Sequence, residues 1–184
     1  RAMSSSPNAS ARLRPAGIRF PADLGAWVGR AGLLRLVAES ARHACGQSWE
    51  KLLEDFPRAD AEPDALLVLT GYAYLGGVYG SGEIVRRLAR AEYRGSLRGR
   101  PDPDPPAIRR FRRARQPALT DCLARTLVAA WEATGRELPA PQTLEFRRGE
   151  PPLAADLAVL EPFYVEARAR VQRAIAADSH AMDT

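Results

Sequence analysis

The chain has 184 residues, of which 46% are hydrophobic and 27% charged, and these ordinary values for a globular protein exclude a largely disordered or collagen-like chain. Its formal net charge is +5, and all but one of its 27 basic residues are arginines. The longest apolar run, 65–78, is about 14 residues, too short to span a bilayer, and the first residues do not resemble a secretory signal. We therefore expect a cytoplasmic protein without membrane contact.

Helical periodicity dominates the chain. Apolar residues at three- and four-residue steps predict an amphipathic helix over about 29–44 and a shorter one over 48–56, with Ser48 as its N-cap. A third helix, from Pro63 to about 75, is apolar nearly all round, so we expect it to be the central, buried one.

Arginines lie opposite the apolar faces of the next two predicted helices. The first covers about 81–92 and directs Arg86, Arg87 and Arg90 away from its apolar residues. After a loop rich in glycine and proline, the second begins at the N-cap Asp104 and reaches Arg115. In this second helix Arg109, Arg110 and Arg113 are predicted to point outward, with Arg112 and Arg115 on the flanks.

The C-terminal third is predicted to contain two longer helices. One covers 118–134 and ends at Gly135, and a proline-rich linker, 136–152, with a strand-like run at 143–146, separates it from the last helix, 153–178. That helix has a stripe at alternating four- and three-residue steps: Leu153, Leu157, Leu160, Tyr164, Ala167, Val171 and Ala174. The stripe fits a coiled-coil seam, but packing on its own domain, with a bend near Pro162, is favoured.

These elements predict an all-α fold: a compact multi-helix domain with a helix-turn-helix-like basic pair and an appended C-terminal helix. The expected organisation is a disordered tail (1–20), a helical domain (21–135), the linker (136–152) and the C-terminal helix (153–178).

Charge is concentrated in one window. Residues 86–115 contain eleven arginines and three acids, so the window carries +8 and the rest of the chain −3. Three acids cannot neutralise eleven arginines, which favours a basic functional surface over a solvated face. Such a field attracts polyanions, chiefly nucleic acid, or an anionic membrane surface, and the two successive helices with outward arginines predict duplex DNA as the partner. The second of the two arginine-bearing helices is the candidate recognition helix, and its candidate DNA-binding residues are Arg109, Arg110, Arg112 and Arg113. Supporting phosphate contacts are expected from Arg86, Arg87, Arg90, Arg98 and Arg100. The loop of about a dozen residues exceeds the tight turn of an ordinary helix-turn-helix, so we expect a variant.

The same region resembles a known family. The runs Leu66-Leu67-Val68-Leu69-Thr70-Gly71-Tyr72, Tyr79-Gly80-Ser81-Gly82-Glu83-Ile84-Val85-Arg86-Arg87-Leu88 and Pro103-Asp104-Pro105-Pro106-Ala107-Ile108-Arg109-Arg110-Phe111-Arg112-Arg113 are similar to the N-terminal helical (InsH-like) domain of bacterial insertion-sequence DDE transposases. The resemblance covers about 63–135 and implies an all-α DNA-binding domain in a bacterial, nucleoid-associated protein. Ala107 stands where the family pattern has Thr.

Catalysis is not expected from this chain. In the family a ribonuclease-H-like domain follows, opening with a catalytic aspartate, whereas 136–146 contains no aspartate and the acids here are scattered. Cys45 and Cys122 are too far apart in sequence for a Cys-x-x-Cys pair, and His43 and His180 complete no metal set. We therefore expect no cofactor, metal or small-molecule substrate. The alternative function is a transposase-derived interaction module that no longer binds DNA and acts through the C-terminal helix, by forming a homodimer or by binding an acidic partner.

Overall fold

The computed structural model describes residues 18–45, 63–97, 99–138 and 153–180. Within these ranges the fold is all-α, with seven helices and no strand. They are α1 (Gly25–Cys45), α2 (Pro63–Leu75), α3 (Ser81–Arg87), α4 (Ala91–Ser96), α5 (Pro105–Ala114), α6 (Gln116–Ala133) and α7 (Leu153–His180). The predicted helix at 48–56, the strand-like run at 143–146 and most of the linker lie outside the described residues. No helix in the described ranges is long and apolar enough to cross a membrane.

The central helix is α2, as its apolar composition predicts. Every residue from 65 to 75 is buried, and α1, α4, α5, α6 and α7 all pack against it. Thr70 donates its hydroxyl to the carbonyl of Leu66 at 2.6 Å, so this buried hydroxyl is hydrogen-bonded within the helix. The helix ends before Gly77, whose φ of +79° is a left-handed conformation suited to glycine.

The N-terminal boundary lies earlier than predicted. Phe20 packs on Trp27, Trp131 and Phe163 with ring centroids 5.5–6.2 Å apart, so residues 18–20 belong to the folded domain rather than to a tail. Helix α1 starts at Gly25 instead of Gly29, and Gly29, with φ +73° and ψ +163°, kinks it. The predicted start therefore coincides with the kink.

The predicted helix 81–92 is in fact two short helices. Helix α3 ends at Arg87, and Arg90 is extended (φ −88°, ψ +139°) as the N-cap of α4. In one straight helix Tyr93 would lie about 180° from Ile84, by the 3.6-residue period. The break turns the chain so that Tyr93, which is 2% exposed, packs edge-on against Tyr72, while Ile84 stays buried. The free energy gained by burying both Ile84 and Tyr93 exceeds the cost of interrupting the helix.

Helices α5 and α6 follow the predicted signals closely. The Asp104 carboxylate accepts a hydrogen bond from the Ala107 amide at 2.6 Å, which confirms Asp104 as the N-cap of α5. Pro117 lies in the first turn of α6, where its missing N–H costs no helical hydrogen bond. Helix α6 packs between α1 and α7 and also contacts α2 and α5.

Helix α7 is part of the same domain. In its apolar stripe, Ala167, Val171 and Ala174 are completely buried, and Leu160 and Tyr164 are half-buried. The structure does not describe the side chains of Leu153 and Leu157. Arg170 is also completely buried and donates to the carbonyls of Pro21, Ala22, Tyr74 and Leu75. The described part of the stripe thus serves packing within the domain, and a homodimer through α7 stays a prediction.

Candidate nucleic-acid interface

Helix α5 has arginines on two opposite faces. Ile108, Phe111, Arg112 and Arg115 follow the i, i+3, i+4, i+7 spacing of one helical face, and all four are buried. Arg110 and Arg113 are exposed and Arg109 is half-buried on the other side. The placement of Arg109, Arg110 and Arg113 agrees with the predicted outward face, whereas Arg112 and Arg115 belong to the buried face rather than to its flanks.

Arg112 is bound inside the protein. Its side chain is 5% exposed; Nη1 lies 2.8 Å from a carboxylate oxygen of Asp178 on α7 and donates to the Tyr74 hydroxyl at 3.2 Å. Burial alone would lower the pKa of Arg112, but Tyr74 and Asp178 outweigh it and hold that pKa above its ordinary value. Since its charge is already paired and shielded from water, Arg112 is withdrawn from the predicted DNA-contacting set.

Asp178 joins both arginine-bearing helices. The same carboxylate accepts hydrogen bonds from the backbone N–H and the hydroxyl of Ser81, at 2.7 and 2.8 Å. Ser81 opens α3, and its hydroxyl also accepts a hydrogen bond from Nη1 of Arg109 at 3.1 Å. One buried carboxylate therefore fixes the start of α3, Arg112 of α5 and, through Ser81, Arg109.

The arginines of α3 are partly neutralised. Glu83 accepts hydrogen bonds from both Arg87, at 2.8 Å, and Arg86, whose side chain remains 73% exposed. These bonds lower the pKa of the Glu83 carboxyl, so it is ionised at neutral pH and reduces the positive field of both partners. Arg87 is only half-exposed and is held on Glu83.

The remaining predicted residues are Arg90, Arg98 and Arg100. Arg90 and Arg100 are exposed, and Arg98 lies outside the described residues. Arg94, which was not among the predicted contacts, pairs with Asp102 at 3.1 Å. By contrast, Arg110 and Arg113 form no ion pair or hydrogen bond with any residue in the described ranges, so their guanidinium groups are available to an anion.

Two grooves lie on the surface of the described fold. One, of about 560 Å³, runs between α5 and the end of α7, and its walls include Pro106, Arg109, Arg113 and Ile175. The other, of about 530 Å³, lies among α1, α6 and α7 and is lined by Leu36, His43, Val128 and Tyr164, among others. The first groove contains the predicted outward arginines.

Sequence reasoning missed Asp178, although a signal for it exists. The apolar stripe of α7 passes through Val171 and Ala174, and its next position, four residues on, is Asp178. A carboxylate at a position that the pattern buries needs a cationic partner. That pattern predicts an ion pair inside the domain, and Arg112 provides it.

The described residues contain no cluster of three or more histidine, cysteine, aspartate or glutamate side chains able to hold a metal ion. No protein-family model matches the chain, and neither a curated protein nor a solved structure is significantly similar to it.

Proposed function

We propose that this protein binds duplex DNA through arginines of α5, of α3 and of the turn that follows α3, as the resemblance to the InsH-like domain of transposases also suggests. The proposed surface consists of Arg109, Arg110 and Arg113 on α5, with supporting phosphate contacts from Arg86 and Arg90. We name these five residues the arginine surface. The proposal assigns no strand-transfer chemistry to the described residues.

The observation that carries the proposal is the state of Arg110 and Arg113. They lie three residues apart on one face of α5, both are exposed, and neither has a partner within the described ranges. Exposed cations packed this closely repel one another, and a polyanion removes that cost while releasing its own condensed counterions. Guanidinium groups form bidentate hydrogen bonds with phosphate oxygens and with O6 and N7 of guanine.

The shape of α5 suits a duplex. An α-helix with its side chains is about 10–12 Å across, which matches the width of the major groove, about 12 Å, and the ten residues of α5 give it about 15 Å of length. The opposite face of α5 is anchored by Ile108, Phe111 and the Arg112–Asp178 pair. The outward arginines are therefore held on a rigid support, which lowers the entropy lost on binding.

The test is a fluorescence-anisotropy titration of a labelled duplex of about 25 base pairs at several salt concentrations. Reversing Arg110 and Arg113 to glutamate should weaken binding at least ~10-fold and reduce the salt slope by about 2. The matched control reverses Arg35 and Arg42, two exposed arginines on α1, and changes the net charge equally. The control should bind within about 3-fold of the wild type, because only non-specific attraction changes.

Two results would contradict the proposal. One is undetectable binding by the wild type at low salt. The other is an equal loss in the two double variants, which would show attraction to net charge without a defined surface. An unlabelled competitor of different sequence then separates phosphate contacts, which ignore sequence, from contacts to base edges.

A further inference from the structure

We propose that the groove between α5 and α7 is a binding site for an organic phosphate, namely one nucleotide unit of a nucleic acid strand. The groove has a volume of about 560 Å³, within the range of small-molecule sites. This inference rests on the proposed function for the source of the phosphate, and it adds α7 to the interface.

The walls of the groove come from two helices. Arg109, Arg110 and Arg113 line the α5 side, and Ile175 and Ser179 line the α7 side. Arg109 is held against Ser81 by its 3.1 Å hydrogen bond, so at least one wall cation is positioned before any ligand arrives. A site built this way binds with a smaller entropy loss than flexible surface arginines alone.

The charge of the groove favours an anion. Four arginines line it, including the buried Arg112, against the single carboxylate of Asp178, so the lining carries +3. That carboxylate is already bound by both Ser81 donors and by Arg112, so it opposes an incoming anion weakly. Because the buried Arg112 and Asp178 neutralise each other, the positive charge that a ligand meets comes from Arg109, Arg110 and Arg113.

The apolar part of the lining defines the ligand further. Pro106 and Ile175 contribute hydrocarbon surface beside the guanidinium groups. A bare inorganic anion leaves that surface unused, whereas a nucleotide places its phosphate on the arginines and its sugar or base against the apolar wall. The groove therefore fits a phosphate ester with an organic body better than phosphate alone.

The test uses opposite charges at one position of the α7 wall. Ser179 is exposed and borders the groove, so Ser179→Glu adds a repelling carboxylate and Ser179→Arg adds an attracting cation without removing a packed side chain. Val165→Glu is the control, since Val165 is 52% exposed and lies fourteen residues away, roughly 21 Å along the same helix. Thermal melting of each variant checks that it is folded.

Duplex affinity should fall about 5- to 10-fold in Ser179→Glu, rise by a similar factor in Ser179→Arg, and change less than about 2-fold in Val165→Glu. Structural damage at position 179 would instead weaken both Ser179 variants. Thymidine 5′-monophosphate and inorganic phosphate are titrated in parallel by NMR, and we expect the nucleotide to bind more tightly than the bare ion.

The outcomes separate the two proposals. Duplex affinity that responds to both charges at position 179 supports the groove with DNA as the source of the phosphate. Nucleotide binding that responds in the same way, without duplex binding, supports the groove with a free nucleotide as its ligand and overturns the proposed function. If duplex affinity is unchanged in both Ser179 variants and no nucleotide binds, the groove is not a binding site, and the proposal of the arginine surface stands without it.

Discussion

Replacing Arg170 by methionine should destabilise the protein strongly, because this buried arginine joins three parts of the chain. Its guanidinium donates to the carbonyls of Pro21 and Ala22 before α1, to those of Tyr74 and Leu75 at the end of α2, and to Glu166 on its own helix. Helix carbonyls at a C-terminus have no partner within the helix, so a buried cation there satisfies them and complements the helix dipole.

The free energy lost in Arg170→Met depends on which acceptors of Arg170 keep another hydrogen-bond donor. Leu75 O still accepts from the Leu24 amide at 2.8 Å and Tyr74 O from the Gly77 amide at 3.3 Å, and Glu166 retains Arg173. The carbonyls of Pro21 and Ala22 lose a charged donor. Each hydrogen bond to a charged donor is worth about 1.5–3 kcal/mol, and the methionine stem restores part of the packing, so we expect a loss of about 3–5 kcal/mol. This is a large share of the 5–15 kcal/mol of a typical domain.

Urea denaturation followed by circular dichroism measures this loss, with Arg168→Met as control. Arg168 lies on the same helix, but its side chain is 54% exposed and its one ion pair within the described ranges is with Glu161, so its replacement should cost less than about 0.5 kcal/mol. Arg170→Lys keeps the charge with fewer donors and should lie between the two. A loss below about 1 kcal/mol for Arg170→Met would refute the argument that the fold depends on the hydrogen bonds that Arg170 donates to these carbonyls.

Two further predictions concern a titrating group and a turn. Burial, together with the 2.5 Å hydrogen bond to Asp121, raises the pKa of Tyr164 to about 12. Below the ordinary value of 10, Tyr164 is protonated in both the folded and the unfolded state. Above it the unfolded state loses the proton first, so stability should fall as pH rises from about 10 to 12. Urea melts at about pH 9 and pH 11 should show a smaller difference for Tyr164→Phe than for the wild type, and an equal difference would contradict the assignment. Gly77→Ala should cost ~2–3 kcal/mol in the same assay, because φ is +79° and the new Cβ would lie 3.1 Å from the Ala22 carbonyl oxygen. In Gly135→Ala, where φ is +72° but the space is open, only the backbone cost of about 1 kcal/mol remains, and equal losses at both sites would exclude the contact as a cause.

The helices that sequence predicts best are those with a defined beginning and end. Helix α2 matches its prediction over 63–75, where a proline opens the helix and two glycines follow it, and α5 starts at its predicted N-cap. Local chemistry fixes such boundaries. The break between α3 and α4 has no comparable local signal, because it results from the burial of Tyr93 against Tyr72, a contact distant in sequence.

The sequence predicts that α5 has outward-facing arginines, but it does not predict that Arg112 is buried. The apolar face of α5 contains only two apolar residues, Ile108 and Phe111, so the sequence pattern placed Arg112 and Arg115 on the flanks of the helix and Arg112 among the DNA contacts. Arg112 follows Ile108 by four residues and therefore shares its face. Its long stem packs as an apolar group, and its charge is tolerated because Asp178 lies opposite. Recognising that pair from sequence requires knowing that α7 packs beside α5.

The distinction between buried and exposed arginines changes the expected salt dependence of DNA binding. If all eleven arginines of the 86–115 window met phosphates, the slope of log K against log salt would be about −10, since each neutralised phosphate contributes roughly −0.9. The arginine surface has five members, and this limits the slope to about −4.5. Arg112 cannot contribute while it is paired with Asp178 inside the protein. Arg87 is 32% exposed and held on Glu83, whereas Arg86, which pairs with the same carboxylate, keeps 73% of its side chain exposed. A measured slope near −4 therefore supports the surface that the fold presents, whereas one near −10 requires arginines that the structure holds in internal pairs.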